Sequence, residues 1–334
     1  MTAAKMMTLW AIGATIIFFL LVALATARRM HAVRARARLP KRYRHLRALE
    51  HSIGWPRAGV TLAATACALW LTWSMPDHAG LFLAPTLWAG LITLGLIGID
   101  QLVLGRTPRL DQWRPPTNVR AYFSWKPIAL VIVLAGVLIY TIRWASGVAT
   151  KDGRRVFGAW TTDGEAHWGW SDPFPGAYYT DPLKWMLPLL VALILAGVVV
   201  TFARHTYRAG TRYAALDRGF RRRTISDLTL ALIGALGGTL ATISLDIAWA
   251  CAILGSNSPD NAAVVGINAV VGLCATGLCF WVEASLIFLP VVSEDKTIAR
   301  MWLDTPDPTA LVNPSASNSG AIALVDAALS AGAR

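Results

Sequence analysis

Long apolar runs alternate with shorter polar segments along this chain. Crossing a bilayer as a helix takes about 20 apolar residues. Seven segments fit that requirement, near 7–27, 59–75, 81–104, 127–144, 185–203, 228–254 and 262–290. The last two are longer than a bilayer is thick, so they tilt or protrude. The pattern predicts an all-α fold, a polytopic membrane helix bundle of about seven transmembrane helices over 1–290. An outer loop, 145–184, interrupts the bundle. Residues 291–334 read as a mostly disordered cytoplasmic tail, because Pro, Ser and Asp replace the apolar residues that could pack.

Composition supports this reading. Of 334 residues, 55% are hydrophobic and 15% charged, and the mean hydropathy is +0.49. Soluble domains carry about 25% charged residues. An ordinary soluble domain is therefore excluded.

The net charge of +12 is unevenly placed. Ten Lys or Arg fall in 28–57, five in 105–126, seven in 204–225 and three after 290. Basic loops remain on the cytoplasmic side. With seven helices, those four segments share one face if the N-terminus is outside and the C-terminus inside. The first segment has only Lys5 before it and a dense basic run after it, the reverse of a signal peptide, so it reads as an uncleaved first helix. The expected location is the plasma (cell) membrane.

The run "RRMHAVRARARLPKRYRHLR" has the charge of a nucleic-acid arm but no folded binding motif around it. Its Arg34, Arg36, Arg38, Lys41, Arg42 and Arg44, with Arg221, Arg222 and Arg223 of "RGFRRR", are expected to meet the anionic inner leaflet or a cytoplasmic partner. Each basic residue near such a leaflet gains ~1 kcal/mol. Nucleic acid is not an expected partner.

The four cysteines all lie in apolar segments and form no CxxC. The six histidines lie outside those segments, which argues against a transmembrane haem. Phosphate-loop, HExxH and GxSxG patterns are missing. No cofactor and no metal is expected, and no catalytic residue can be named.

Ionisable residues inside spanning segments are costly and mark candidate sites. Glu283 in "CFWVEASLIF" lies about 10 Å from the inner end of its helix at 1.5 Å per residue. Asp100 and Gln101 in "IGIDQLVLG" lie at a similar depth. No basic residue of a predicted helix shares that level, so two carboxyls there could share a proton or line a cation path. Asp246 and Arg143 lie near the opposite end, at depths that would let them pair.

The outer loop holds "FGAWTTDGEAHWGWSDPFPGAYYTDP". Trp160, Trp168, Trp170, Tyr178 and Tyr179 are its candidate contacts for a ligand or partner, or they cap the bundle. Gly234 and Gly238 have the spacing that lets two helices approach closely.

The segments "PFPGAYYTDPLKWMLPLLVALILAG", "LDRGFRRRTISDLTLALIGALGG" and "LWAGLITLGLIGIDQL" followed by "RPPTNVRAYFSWKP" resemble an uncharacterised family of actinobacterial multi-pass membrane proteins. Members of that family are often encoded near GntR-type regulators and ABC-type ATPases. The resemblance implies a transport-linked role, with an ABC-type ATPase or another membrane subunit as partner. Three functions follow as expectations: a permease-like or accessory subunit of a transport system, a sensor, immunity or scaffold protein acting by contact, and a membrane-embedded enzyme.

Overall fold

The computed structural model describes residues 44–75, 79–104, 124–162, 165–171, 174–203, 212–255 and 259–288. The expected first helix, the basic residues Arg34 to Arg42 and the C-terminal tail lie outside the described residues.

The elements in chain order are α1 (Arg44–Ser74), α2 (Ala79–Leu104), α3 (Trp125–Val148), β1 (Val156–Thr162), β2 (Glu165–Ser171), the short α4 (Ala177–Thr180), α5 (Leu183–Ala203), α6 (Arg212–Gly255) and α7 (Pro259–Phe288). Five stretches are long and apolar enough to cross a membrane: 80–100, 125–148, 177–203, 221–254 and 262–287. Helix α1 is not among them, because Arg57 and its threonines dilute its apolar residues.

Two boundaries differ from the expectation. Helix α1 begins at Arg44 rather than near 59, so Arg57 belongs to a helix and not to a basic loop. Helix α6 begins at Arg212 rather than near 228 and runs 44 residues, about 66 Å at 1.5 Å per residue. Both extensions run through Arg, Ala and Leu, good helix formers that an apolar scan leaves out.

Helix α6 is the centre of the bundle. Of its apolar window 72% is buried, against 22% for the windows on α3, α5 and α7. It packs on α7, α2, α3 and α5, while α1 packs on α2 and α7. Ile233, Ile243 and Ile247 of α6 are sealed in the core with Phe82, Ile92 and Leu96 of α2 and Leu138 of α3. Small residues set the close approach. A Cβ added at Gly234 would stand 2.5 Å from the Trp88 ring, and one at Gly238 would stand 2.8 Å from Pro85. The pair thus seats α6 against α2 within one chain.

The outward faces are apolar. Trp73, Tyr140, Trp185, Leu189 and Ile267 are among the most exposed large side chains. In water such faces would be a large aggregation-prone surface. In a bilayer they meet lipid tails.

The described residues are mostly helical, as expected, with one short hairpin added in a loop. Between α3 and α4, β1 and β2 form an antiparallel hairpin that pairs Phe157 with Trp170, Ala159 with Trp168 and Trp160 with His167. Asp163-Gly164 joins the strands in sequence, a favoured dipeptide for a two-residue hairpin link. The hairpin packs on α6.

Candidate functional site

Helices α1, α2 and α6 bring four opposite charges together at the end of the bundle where α6 extends past its apolar span. Arg57 of α1 donates from Nη1 to Asp227 Oδ2 of α6 at 2.5 Å and from Nη2 to Asp100 Oδ1 of α2 at 3.1 Å. Arg223 Nε stands 2.9 Å from Asp227 Oδ1, one helical turn away. That contact is an ion pair set off the line of a hydrogen bond, since neither atom has an aligned partner. Thr224 donates its hydroxyl to Asp100 Oδ2 and stands 3.5 Å from Arg57 Nη2. All five residues are buried, Asp227 at 1% exposure and Arg57 at 3%.

The physical logic is charge balance. A buried ion costs several kcal/mol to desolvate unless partners replace its water. Two guanidiniums face two carboxylates, so the quartet is formally neutral. The planar fork of Arg57 reaches carboxylates on two helices at once, which a lysine ammonium on its single stem does not match.

The "RRR" run is divided by the helix surface. Arg221 is fully buried and donates from Nη1 to the carbonyls of Thr201 (2.9 Å) and Phe202 (3.3 Å). These belong to the last described turn of α5. Arg223 reaches from Nη2 to the Ser285 carbonyl near the end of α7 at 3.4 Å. Arg221 and Arg223 are therefore internal clamps, which corrects their expected role as inner-leaflet contacts. Arg222 between them is exposed. Arg44 opens α1, and its side chain lies outside those described.

The expected meeting of Asp100 with Glu283 does not occur. Asp100 is engaged by Arg57 and Thr224, so basic residues do share its level, contrary to expectation. Glu283 of α7 is instead 2.6 Å from Thr65 Oγ1 of α1, and Trp88 Nε1 of α2 donates to that same oxygen at 3.1 Å. Gln101 follows Asp100 in α2, and its side chain lies outside those described.

Asp246 and Arg143 do not pair. Among the described residues no ion pair joins them, because Arg143 is on the exposed face of α3 while Asp246 Oδ2 is buried without a hydrogen-bond partner.

In the connection between α3 and α5, Tyr179 is buried and stacks on Phe82, ring centroids 5.1 Å apart. Packing, not presentation, is its role. Tyr178 is exposed, with the Arg154 guanidinium 4.5 Å from its ring centroid. Trp160, Trp168 and Trp170 sit in the hairpin strands, and their side chains lie outside those described. Gly153 turns the chain below them with φ 67° and accepts the Tyr178 amide at 3.2 Å. Beside it, Asp152 accepts from Thr150 Oγ1 and from the Arg154 amide, which hold its carboxyl below the ordinary carboxylate value.

Sequence reasoning missed Arg57, Asp227, Thr224 and Thr65. Asp227 had a signal, since it falls one turn after Arg223. Arg57 had one too, as a base entering "WPRAGVTLAATACALW". Among the described residues no three His, Cys, Asp or Glu side chains converge as metal ligands would. Comparison with family models, with curated proteins and with solved structures finds no match.

Proposed function

We propose that this chain is a permease-like or accessory membrane subunit of a transport system. It crosses the plasma membrane with about seven helices, the N-terminus outside and the C-terminus inside. The observation that carries the reading is the buried Arg57–Asp100–Asp227–Arg223 quartet joining three helices. Intramembrane charges that pair across helices mark moving or conducting parts of membrane proteins. The guanidinium-bound carboxylates are engaged and are poorly placed to act as free general bases, so the enzyme reading ranks last.

Residues 212–220 of α6 precede its apolar span and carry that helix toward the basic face. This supports docking of a cytoplasmic partner such as an ABC-type ATPase. The test is purification from native membranes in a mild detergent, with the ATPase identified and its hydrolysis assayed. A stoichiometric ATPase lost on charge reversal at Arg222 supports the reading. Recovery of the chain without an ATPase overturns the partner assignment.

A second reading, action by contact at the outer face, rests on exposed Tyr178 and Phe157 beside the hairpin. Deleting 157–171 while the chain keeps its abundance and activity would remove it.

A further inference from the structure

We propose that Arg143 is the phosphate-contacting centre of a binding site for an acidic phospholipid, on the outward face of α3 in the leaflet beside the hairpin. The inference stands apart from the transport reading. It uses only the membrane-crossing length of α3 and the placement of its charges.

Depth comes first. Helix α3 runs 24 residues, about 36 Å at 1.5 Å per residue, against a hydrocarbon core of about 30 Å. Arg143 stands five residues before the last residue of α3, Val148, so its Cα lies about 7 Å inside that end. Lys126 stands one residue after the helix start, and the two cations are 17 positions apart, about 25 Å along the axis. Arg and Lys lay their stems along apolar surface and carry their charged heads to the interface. On that spacing each head reaches one headgroup layer.

The second observation is that Arg143 has no protein counter-ion. Arg57 is answered by Asp100 and Asp227, Arg223 by Asp227, and Arg221 by the carbonyls of Thr201 and Phe202. Arg143 is exposed, and among the described residues it makes no ion pair or hydrogen bond. The described acids of that end are occupied or sealed away. Asp152 accepts from Thr150 and the Arg154 amide, Asp181 pairs with Lys184 at 2.5 Å, and Asp246 lies within α6. An unpaired guanidinium on an apolar face is costly, and at this depth the lipid phosphate is the anion within reach. The guanidinium fork matches phosphate with two parallel N–H···O bonds.

The face around Arg143 fits the rest of a lipid. Ile132, Gly136, Ile139, Arg143 and Gly147 follow one line on the helix at steps of three or four residues, and all five are exposed. Gly136 and Gly147 have open space where a Cβ would stand. The line is therefore a shallow apolar channel along which an acyl chain can lie below a headgroup held at Arg143. Tyr140 is exposed beside it and offers a hydroxyl to the glycerol ester or phosphate oxygens. Lys151, just past α3, is also exposed. A second cation on the same side favours an acidic headgroup over a zwitterionic one.

The experiment uses the full chain in nanodiscs of phosphatidylcholine with rising fractions of phosphatidylglycerol. Hydrogen exchange with peptide mass spectrometry reads residues 143–152, which keeps the basic segments of the other face out of the measurement. In the wild type, phosphatidylglycerol should slow exchange of this peptide. In Arg143→Gln the lipid fraction giving half the protection should rise about fivefold, the effect of losing one basic residue near an anionic headgroup. Lys126→Gln, at the other end of α3, should leave it unchanged. Wild-type protection that is no greater with phosphatidylglycerol than with phosphatidylcholine alone overturns the proposal without any variant. Equal midpoints for the wild type and Arg143→Gln also overturn it, as expected if Arg143 serves only the last carbonyls of α3. Protection by inorganic phosphate in phosphatidylcholine discs would assign the site to a soluble anion and overturn the lipid.

Discussion

Arg57 Nη1 and Asp227 Oδ2 lie 2.5 Å apart although 170 residues separate them in the chain. Their contact fixes α1 to the central helix α6, and Asp100 joins α2 to the same guanidinium. Removing one member strands the others. Arg57→Met should cost about 3–5 kcal/mol of stability, the usual result of leaving buried charge unpaired. Arg57→Lys should recover part of that loss. Thermal unfolding of the detergent-solubilised chain reads both, and an Arg57→Met variant as stable as the wild type would contradict the assigned role.

A double-mutant cycle separates pairing from packing. Arg57→Met combined with Asp227→Asn should be less destabilised than the sum of the single changes, with a coupling of at least about 1 kcal/mol for groups in direct contact. Additive losses would mean that the pair contributes shape alone.

The α6–α2 seam has little room for added atoms. The Cβ of Gly238→Ala meets Pro85, a rigid ring, so the substitution should cost about 1–3 kcal/mol, typical of overpacking. Gly136→Ala on α3 meets open space and should be stable by the same unfolding assay.

Gly153→Ala combines left-handed backbone with a Cβ 2.7 Å from the Tyr178 amide nitrogen. Backbone strain alone is about 1–2 kcal/mol for a side-chain-bearing residue there. Limited proteolysis should cut near 150–155 faster in the variant than in the wild type.

Asp152 makes the same turn sensitive to acid. Its folded-state carboxyl titrates below the ordinary value of 3.8, first through the Thr150 hydroxyl and then through the Arg154 amide. A carboxyl lowered on folding contributes its stabilisation above the unfolded value and loses it as pH falls through the folded one. Proteolytic protection of 150–155 should stay flat from neutral pH to about pH 5, then drop below pH 3.8. Asp152→Asn should lower the neutral-pH protection and remove the acid step.

Much of the architecture was legible in the sequence. Five of the expected apolar segments coincide with helices of membrane-crossing length, because bilayer thickness sets a run length that shows directly in composition. The Gly234–Gly238 spacing correctly announced a tight helix seam. The hairpin was not read from the sequence: Asp163-Gly164 is a favoured turn dipeptide, but an apolar scan does not register it.

What the sequence determined by itself is therefore one-dimensional: which stretches are apolar enough for lipid, and on which ends the basic residues collect. The tertiary structure decided which charges are surface and which are core. Arg222 is exposed while Arg221 and Arg223 on either side of it are buried, since successive helix residues turn about 100° apart. It also decided the partners. Asp100 meets Arg57 and Thr224 rather than Glu283, and Glu283 meets Thr65 and Trp88. Depth along a helix can be counted from the sequence. The direction in which a side chain points relative to three neighbouring helices depends on their packing, and that packing alone separates a balanced ionic quartet from a carboxyl met by a threonine hydroxyl.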